Sequence, residues 1–286
     1  MTGLIDVGGG MKCAYSAGLY DYLMDNGIYF DYYLGVSAGS MNLLSYMAGE
    51  KGRNIAMYRE SATGDDYLSI SNLVHTGAYM HYEKVGADYF GAEGNNPFNF
   101  GKFYTSDKQF VVSATDGTDG TTRYFTRKDM WDRATLIKII CASCCIPVVS
   151  KPIEIDGKRY FDGGLAEPIP FRKAFDDGCD KIVVVLSAPA EQKKDKIPGT
   201  AILGNTILRE YPRISDVVED RPVIYNYQMR CLKEYEREGK AFVFAPEEIQ
   251  GAFTLVKNED VVNKLYENGQ RDAKKNLASI RKILAK

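Results

Sequence analysis

Blocks of apolar and polar positions alternate near the start of the chain. "GLIDV" (residues 3–7) is a short apolar run stopped by Gly8-Gly9-Gly10, which predicts a buried strand. From Met11 the period changes. Cys13, Ala17, Tyr20 and Met24 fall at helical spacing, and Gly27 supplies the stop signal. "FDYYLGV" (30–36) predicts a second strand, and Ser37 to Ala48, rich in small and apolar residues, a buried helix ending near Gly49. Strand, helix, strand, helix in that order argues for a parallel sheet with helices on its faces.

Further along, Gly64 to Tyr104 mixes Gly, Asn and aromatic residues without a clear period, and "EGNNPFNFG" reads as a loop by its turn residues. This region is expected to form a lid or a surface insertion. "QFVVSATD" and "TTRYFT" flank "GTDG" and predict a hairpin; its turn lacks the spacing of a calcium loop. "DMWDRATLIKIICAS" predicts a helix, "PIEIDGKRYFDGG" two short strands around Asp156-Gly157, and "KAFDDGCDKIVVVLS" a helix running into a central strand. After Pro189 the polar "AEQKKDKIPG" breaks the pattern. Beyond it come a helical stretch, one strand ("AFVFAP") and a terminal helix. The expected architecture is α/β, a three-layer α/β/α sandwich with a mainly parallel central sheet over residues 1–190. A C-terminal extension, 191–286, is expected to pack on the same domain.

Composition narrows the function classes. The 286 residues are 45% apolar and 26% charged, enough to bury a substantial core without staples. A net charge of −2 offers no basic excess for nucleic acid. The six cysteines, three of them in "CASCC", have neither a disulfide-framework context nor zinc spacing. Cys141, Cys144 and Cys145 are expected to pack as small hydrophobes, reduced in a cytoplasmic protein. The N-terminus shows no signal-peptide pattern, and no apolar run reaches the ~20 residues of a membrane-spanning helix. The many tyrosines between Tyr58 and Tyr104 are read first as packing residues, with an acyl pocket as the alternative. The basic "RDAKKNLASIRKILAK" reads first as a solvated helix, and second as a transient contact with an anionic membrane surface.

Two stretches carry chemistry. Gly35-Val36-Ser37-Ala38-Gly39 fits G-x-S-x-G at a strand-to-helix junction. A sharp turn there strains the serine backbone and exposes Oγ at a helix N-terminus, with Gly35 and Gly39 leaving room for the turn. A serine nucleophile needs a base, yet the only histidines are His75 and His81, both in the ill-defined segment and read as loop residues. Either the serine is inert or its base is not histidine. Gly8, Gly9 and Gly10, followed at once by a helix, can present backbone N–H groups to an oxyanion, with Met11 closing the loop and Lys12 adding charge. The rival readings are a structural tight turn and a phosphate loop, but both the G-x-G-x-x-G and GxxxxGK[ST] spacings fail. Asp162 in "RYFDGG" ends a strand before Gly163 and Gly164. It either shapes a turn or serves as a carboxylate base.

These motifs together resemble the patatin-like phospholipase family: "DVGGGMKCAYSAGLYDYL", "GVSAGS" and "CASCCIPVVSKPIEIDGKRYFDGGLAEPIP" occur in the family order over about two thirds of the chain. The remainder resembles, more loosely, the C-terminal extension of one bacterial subgroup. The resemblance implies a serine acyl hydrolase acting on ester bonds of lipid-like substrates, with no cofactor and no metal. Ser37 would be the nucleophile, Asp162 the base, and the amides of Gly8, Gly9, Gly10 and Met11 the oxyanion hole. Two departures touch that loop: Lys12 stands where the family usually has arginine, and Cys13 where it usually has glycine. The rivals are a catalytically weak or inactive protein that keeps the fold as an interaction module, and a nucleotide-binding α/β protein.

Overall fold

The computed structural model describes residues 1–64, 90, 97–147, 150–195, 209–249, 251, 254 and 257–285. His75, His81 and most of the expected lid lie outside the described residues. The chain opens with strand β1 (Thr2–Asp6), a 3-10 turn (Gly10–Cys13), helix α1 (Ala14–Asp25), strand β2 (Tyr32–Val36), and helices α2 (Ala38–Met47) and α3 (Arg53–Thr63). Helix α4 (Phe100–Thr105), strands β3 (Gln109–Asp116) and β4 (Thr122–Thr126) and helix α5 (Arg133–Ser143) follow. Next come strands β5 (Ile153–Ile155) and β6 (Lys158–Asp162), helix α6 (Phe171–Asp176) and strand β7 (Lys181–Val185). Helix α7 (Pro212–Arg237), strand β8 (Ala241–Phe244) and helix α8 (Glu259–Leu284) complete the described elements.

The strands form one eight-stranded sheet. β3, β2, β1, β7 and β8 run parallel in that lateral order, while β4 and β6 pair antiparallel with β3, and β5 pairs antiparallel with β6. Adjacent residues of a central strand serve opposite faces. Leu4 and Tyr33 belong to a core shared with α1, α2, α3, α5 and α8, whereas Ile5 and Leu34 belong to one shared with α6 and α7. That division is the three-layer α/β/α sandwich, and it explains why "KIVVV" and "YYLGV" read as unbroken apolar runs: both sides of these strands are covered.

Local chemistry sets the boundaries. Asp132 caps α5 by accepting the Thr135 N–H, so the helix starts there and not at Asp129. Asp156 and Gly157 both take positive φ, 50° and 76°, which closes the tight β5–β6 hairpin. The C-terminal elements join the same body. β8 extends the sheet beside β7, and α8 crosses α1 so closely that a Cβ on Gly18 would stand 1.9 Å from the Tyr266 carbonyl oxygen. Tyr15 Oη donates to Asp272 and Tyr266 Oη to Asp21, both at 2.9 Å, on either side of the crossing. Among the described residues, no helix is long and apolar enough to cross a membrane.

Candidate active site

Ser37 is the single residue between β2 and α2, with φ 54° and ψ −135°. Holding a non-glycine residue there costs about 1–3 kcal/mol. The neighbouring glycines are sterically required. A Cβ on Gly35 would sit 2.3 Å from Ser40 Cα, and one on Gly39 2.5 Å from Asp6 Oδ1. The Ser37 N–H donates to Ser143 Oγ at 2.8 Å, and its carbonyl accepts from the Ser40 hydroxyl at 2.6 Å. With its backbone tied down, the serine has only its hydroxyl free to act.

The sheet register brings Asp162 to that hydroxyl. β3 pairs with β2 through residues 109–113, with β4 through 111–115 and with β6 through 114–116. A strand has two edges, so β2 and β4 lie on opposite sides of β3, and so do β4 and β6. β6 therefore shares the β2 edge and runs toward it. Val36 lies opposite Ser113, and Asp162 opposite the next residue, Ala114. The two strands meet head to head, and the residues at the junction are Ser37 and Asp162. The Asp162 carboxylate accepts the Gly164 N–H at 2.8 Å, and the Ser37 side chain lies close by. Burial raises the Asp162 carboxyl above its ordinary value, while the nearby Ser37 side chain, the Gly164 N–H and the Arg221 charge oppose the rise. Gly163 has no room for a side chain: its Cβ would fall 2.3 Å from the Ser113 carbonyl oxygen.

The glycine loop abuts the serine turn. Gly8, Gly9 and Gly10 have φ of 70°, 138° and 62°, a run that favours glycine at each position. A Cβ on Gly8 would lie 2.2 Å from the Val36 carbonyl oxygen and 2.9 Å from Ser37 Cβ. Two of the amides are already used. Gly8 N–H donates to Asp6 Oδ1 and Met11 N–H to the Thr254 carbonyl, each at 3.0 Å. Those of Gly9 and Gly10 have no acceptor among the described residues. Asp6, which also accepts from Tyr20 Oη at 2.9 Å, is fully enclosed, and burial pushes its carboxyl up to about 6. The Lys12 stem lies across Gly9, its Cε 3.3 Å from where a Cβ would stand, and burial lowers the ammonium pKa.

Several supporting groups lie where sequence motifs carry no signal. Ser143, inside the small-residue run, holds the Ser37 amide. Cys144 is buried, and burial drives its thiol well above the ordinary value, so it stays protonated. Cys141 and Cys145 are buried and unbridged, as small core residues would be. Arg221 Nε, delivered by α7, donates to the Gly164 carbonyl at 2.6 Å. The only hint of these in the sequence was the smallness of residues 141–145; nothing local marks Arg221.

A mainly parallel sheet layered by helices, with a G-x-S-x-G turn at the carboxyl end of a central strand, defines an α/β protein with a serine elbow. The family model for Patatin-like phospholipase matches residues 7–175, more than half of the chain, and the protein belongs to that family. Residues 211–285 match a domain of unknown function, DUF6363. The chain is 25% identical over 191 residues to the Uncharacterized protein YjjU of Escherichia coli (strain K12), covering 66% of this chain and 52% of that protein. It is also 25% identical over 214 residues to the Uncharacterized protein YqhO of Bacillus subtilis (strain 168), covering 66% of this chain and 72% of that protein. The chain thus spans about half the length of YjjU. Its fold is similar to that of VipD from Legionella pneumophila, with a TM-score of 0.51 at 14% identity over 97% of this chain and 67% of that one.

Proposed function

We propose that this protein hydrolyses carboxylic ester bonds of lipid-like substrates through a Ser37–Asp162 dyad. The observation that carries this reading is the head-to-head meeting of β2 and β6, which sets a strained serine hydroxyl against a buried carboxylate. Asp162 accepts the hydroxyl proton as Ser37 Oγ bonds to the acyl carbon. The carbonyl electrons move to oxygen, and the N–H groups of Gly9 and Gly10 stabilise that oxyanion. Collapse expels the alcohol, which takes the proton back from Asp162, and leaves an acyl-serine. Water then gives a proton to Asp162 and attacks the acyl carbon. The fatty acid leaves as Ser37 recovers its proton. The raised carboxyl of Asp162 is a better proton acceptor than a solvated aspartate near neutral pH. No imidazole is needed in this scheme, because one carboxylate beside the hydroxyl both orients it and takes its proton.

The test is hydrolysis of p-nitrophenyl acyl esters together with fluorophosphonate labelling. Ser37→Ala should abolish both, and Asp162→Asn should lower turnover by about 100-fold or more. A folded wild-type protein that neither turns over esters nor takes the label would instead favour the interaction-module reading.

A further inference from the structure

The register of the sheet puts a second serine level with Ser37. Asp6 of β1 lies opposite Gly35 of β2 on one edge and opposite Val185 of β7 on the other. Two residues beyond each of these stand Gly8, Ser37 and Ser187. The glycine loop thus leaves the sheet between two strand ends that each carry a serine. The backbone before Ser187 is pinned on both edges: Val7 N–H donates to the Val185 carbonyl at 3.2 Å, and Leu186 N–H to the Phe244 carbonyl at 2.8 Å. The loop touches both serines. As Gly8 abuts Ser37, Gly9 abuts Ser187, for a Cβ on Gly9 would stand 2.2 Å from Ser187 Oγ and 2.8 Å from Ser187 Cβ. Ser187 is half-buried, and its hydroxyl has no hydrogen-bond partner among the described residues. The N–H groups of Gly9 and Gly10 lack one too. Backbone bond lengths put the Gly9 nitrogen within about 5 Å of the Ser187 hydroxyl. Donors at that separation can share one acceptor, because each hydrogen bond spans about 2.8–3.0 Å.

We infer that Ser187 is a third oxyanion donor, its hydroxyl joining the N–H groups of Gly9 and Gly10 on the oxygen of the attacked acyl group. The inference rests on the hydrolase reading of Ser37 and Asp162. It assigns a catalytic residue outside residues 7–175, the stretch that the family model matches. The two amides are fixed by the loop, whereas a hydroxyl turns about its own bond. Ser187 can therefore follow the oxygen as the flat carbonyl becomes tetrahedral and gains charge, which is when a donor contributes to rate.

The test compares the full chain as wild type, Ser187→Ala and Ser187→Thr, which keeps the hydroxyl. Kinetics on p-nitrophenyl butyrate give kcat and KM. Inhibition by a linear alkyl trifluoromethyl ketone gives the affinity for a tetrahedral adduct. In that adduct Ser37 Oγ bonds the carbonyl carbon, its proton passes to Asp162, and the carbonyl electrons move to oxygen. Ser187→Ala should lower kcat about 100-fold with KM within about 2-fold, and weaken the ketone as much as it lowers kcat/KM. Its denaturant midpoint should match wild type, because no hydrogen bond within the chain is lost. Ser187→Thr should recover most of the rate; a threonine variant as slow as the alanine one contradicts the inference. Wild-type kcat and ketone affinity in Ser187→Ala overturn it and leave the hydrolase standing. A fall in kcat that the ketone does not follow, or that comes with a lowered midpoint, makes Ser187 a packing residue and overturns it as well. A wild-type protein that turns over no ester and takes no fluorophosphonate label overturns the hydrolase reading itself, and the role of Ser187 with it.

Discussion

Ser143 Oγ accepts the Ser37 N–H at 2.8 Å, while the Ser143 carbonyl accepts the Gly163 N–H at 3.2 Å. One residue at the end of α5 therefore ties the serine turn to the Asp162 turn. The same stretch reaches Asp162 directly, since the Cys145 carbonyl accepts the Asp162 N–H at 2.8 Å. The two candidate catalytic groups come from different strands, and this small-residue run is the brace that sets their separation.

Ser143→Ala should leave the buried Ser37 N–H without its acceptor. The expected loss is about 1–3 kcal/mol of unfolding free energy, read from the denaturant midpoint. The labelling rate of Ser37 should fall with it, because the strained turn loses one of its anchors. Unchanged stability and labelling would show that the Ser143 hydroxyl does not hold the turn.

The acid limb of the pH–rate profile should report Asp162, which works as a base only when ionised. Activity should be lost as pH falls through its pKa, and that limb should lie above the ordinary aspartate value of 3.8, because burial raises it. The Arg221 charge holds the carboxyl down, so Arg221→Gln should move the limb to higher pH. Log kcat/KM against pH for a neutral ester measures this, and a limb that moves to lower pH in the variant contradicts the assignment.

Asp6 makes a stability prediction of definite sign. Its carboxyl is raised from 3.8 to about 6 in the folded chain, so the fold favours the protonated form. Its ionisation therefore costs stability as pH rises from about 4, and the full cost is present above about 6. Asp6→Asn keeps an acceptor for the Gly8 N–H and removes the buried charge. At pH 7–8 the variant should be more stable than wild type by up to about 3 kcal/mol, and the difference should vanish below about pH 4. Chemical denaturation across that pH range decides it.

The α1–α8 crossing should tolerate no added methyl group. A Cβ on Gly269 would lie 1.9 Å from the Tyr15 carbonyl oxygen, a backbone atom that cannot swing aside. Gly269→Ala should cost at least about 1–3 kcal/mol by overpacking. Gly27, at φ 65° with nothing within 4 Å of its Cβ position, is the control. Gly27→Asn should stay within about 0.5 kcal/mol, because asparagine accepts that backbone conformation. Thermal unfolding of both variants checks the contrast.

Much of this architecture was legible before the structure, for reasons that are local. The runs "QFVVSATD" and "KIVVV" show burial on both faces in their own composition. The glycines of "GVSAGS" mark a turn too tight for a side chain, and 2.3 Å at Gly35 and 2.5 Å at Gly39 are the distances behind that signal. The glycine loop was legible as a donor-rich turn, but its division of labour was not. Gly8 and Met11 spend their amides on Asp6 and Thr254, and the Met11 acceptor arrives from the far end of the chain. Arg221 was hidden for the same reason, as one arginine in a polar helix just before Pro222.

By itself the sequence determined which residues can act: a serine in a turn only glycines permit, an aspartate before two glycines, and backbone amides freed by a third glycine run. These follow from sterics within a few residues, and such constraints are written into short motifs. Only the tertiary structure decided which of them meet. β2 and β6 approach from opposite directions along one edge of β3, and α7, far along the chain, carries Arg221 to the Gly164 carbonyl. Hairpin partners follow from local turns, but the pairing of β2 with β3 and of β6 with β3, and the helix packing, are set by burial summed over the whole sheet, which no local pattern encodes.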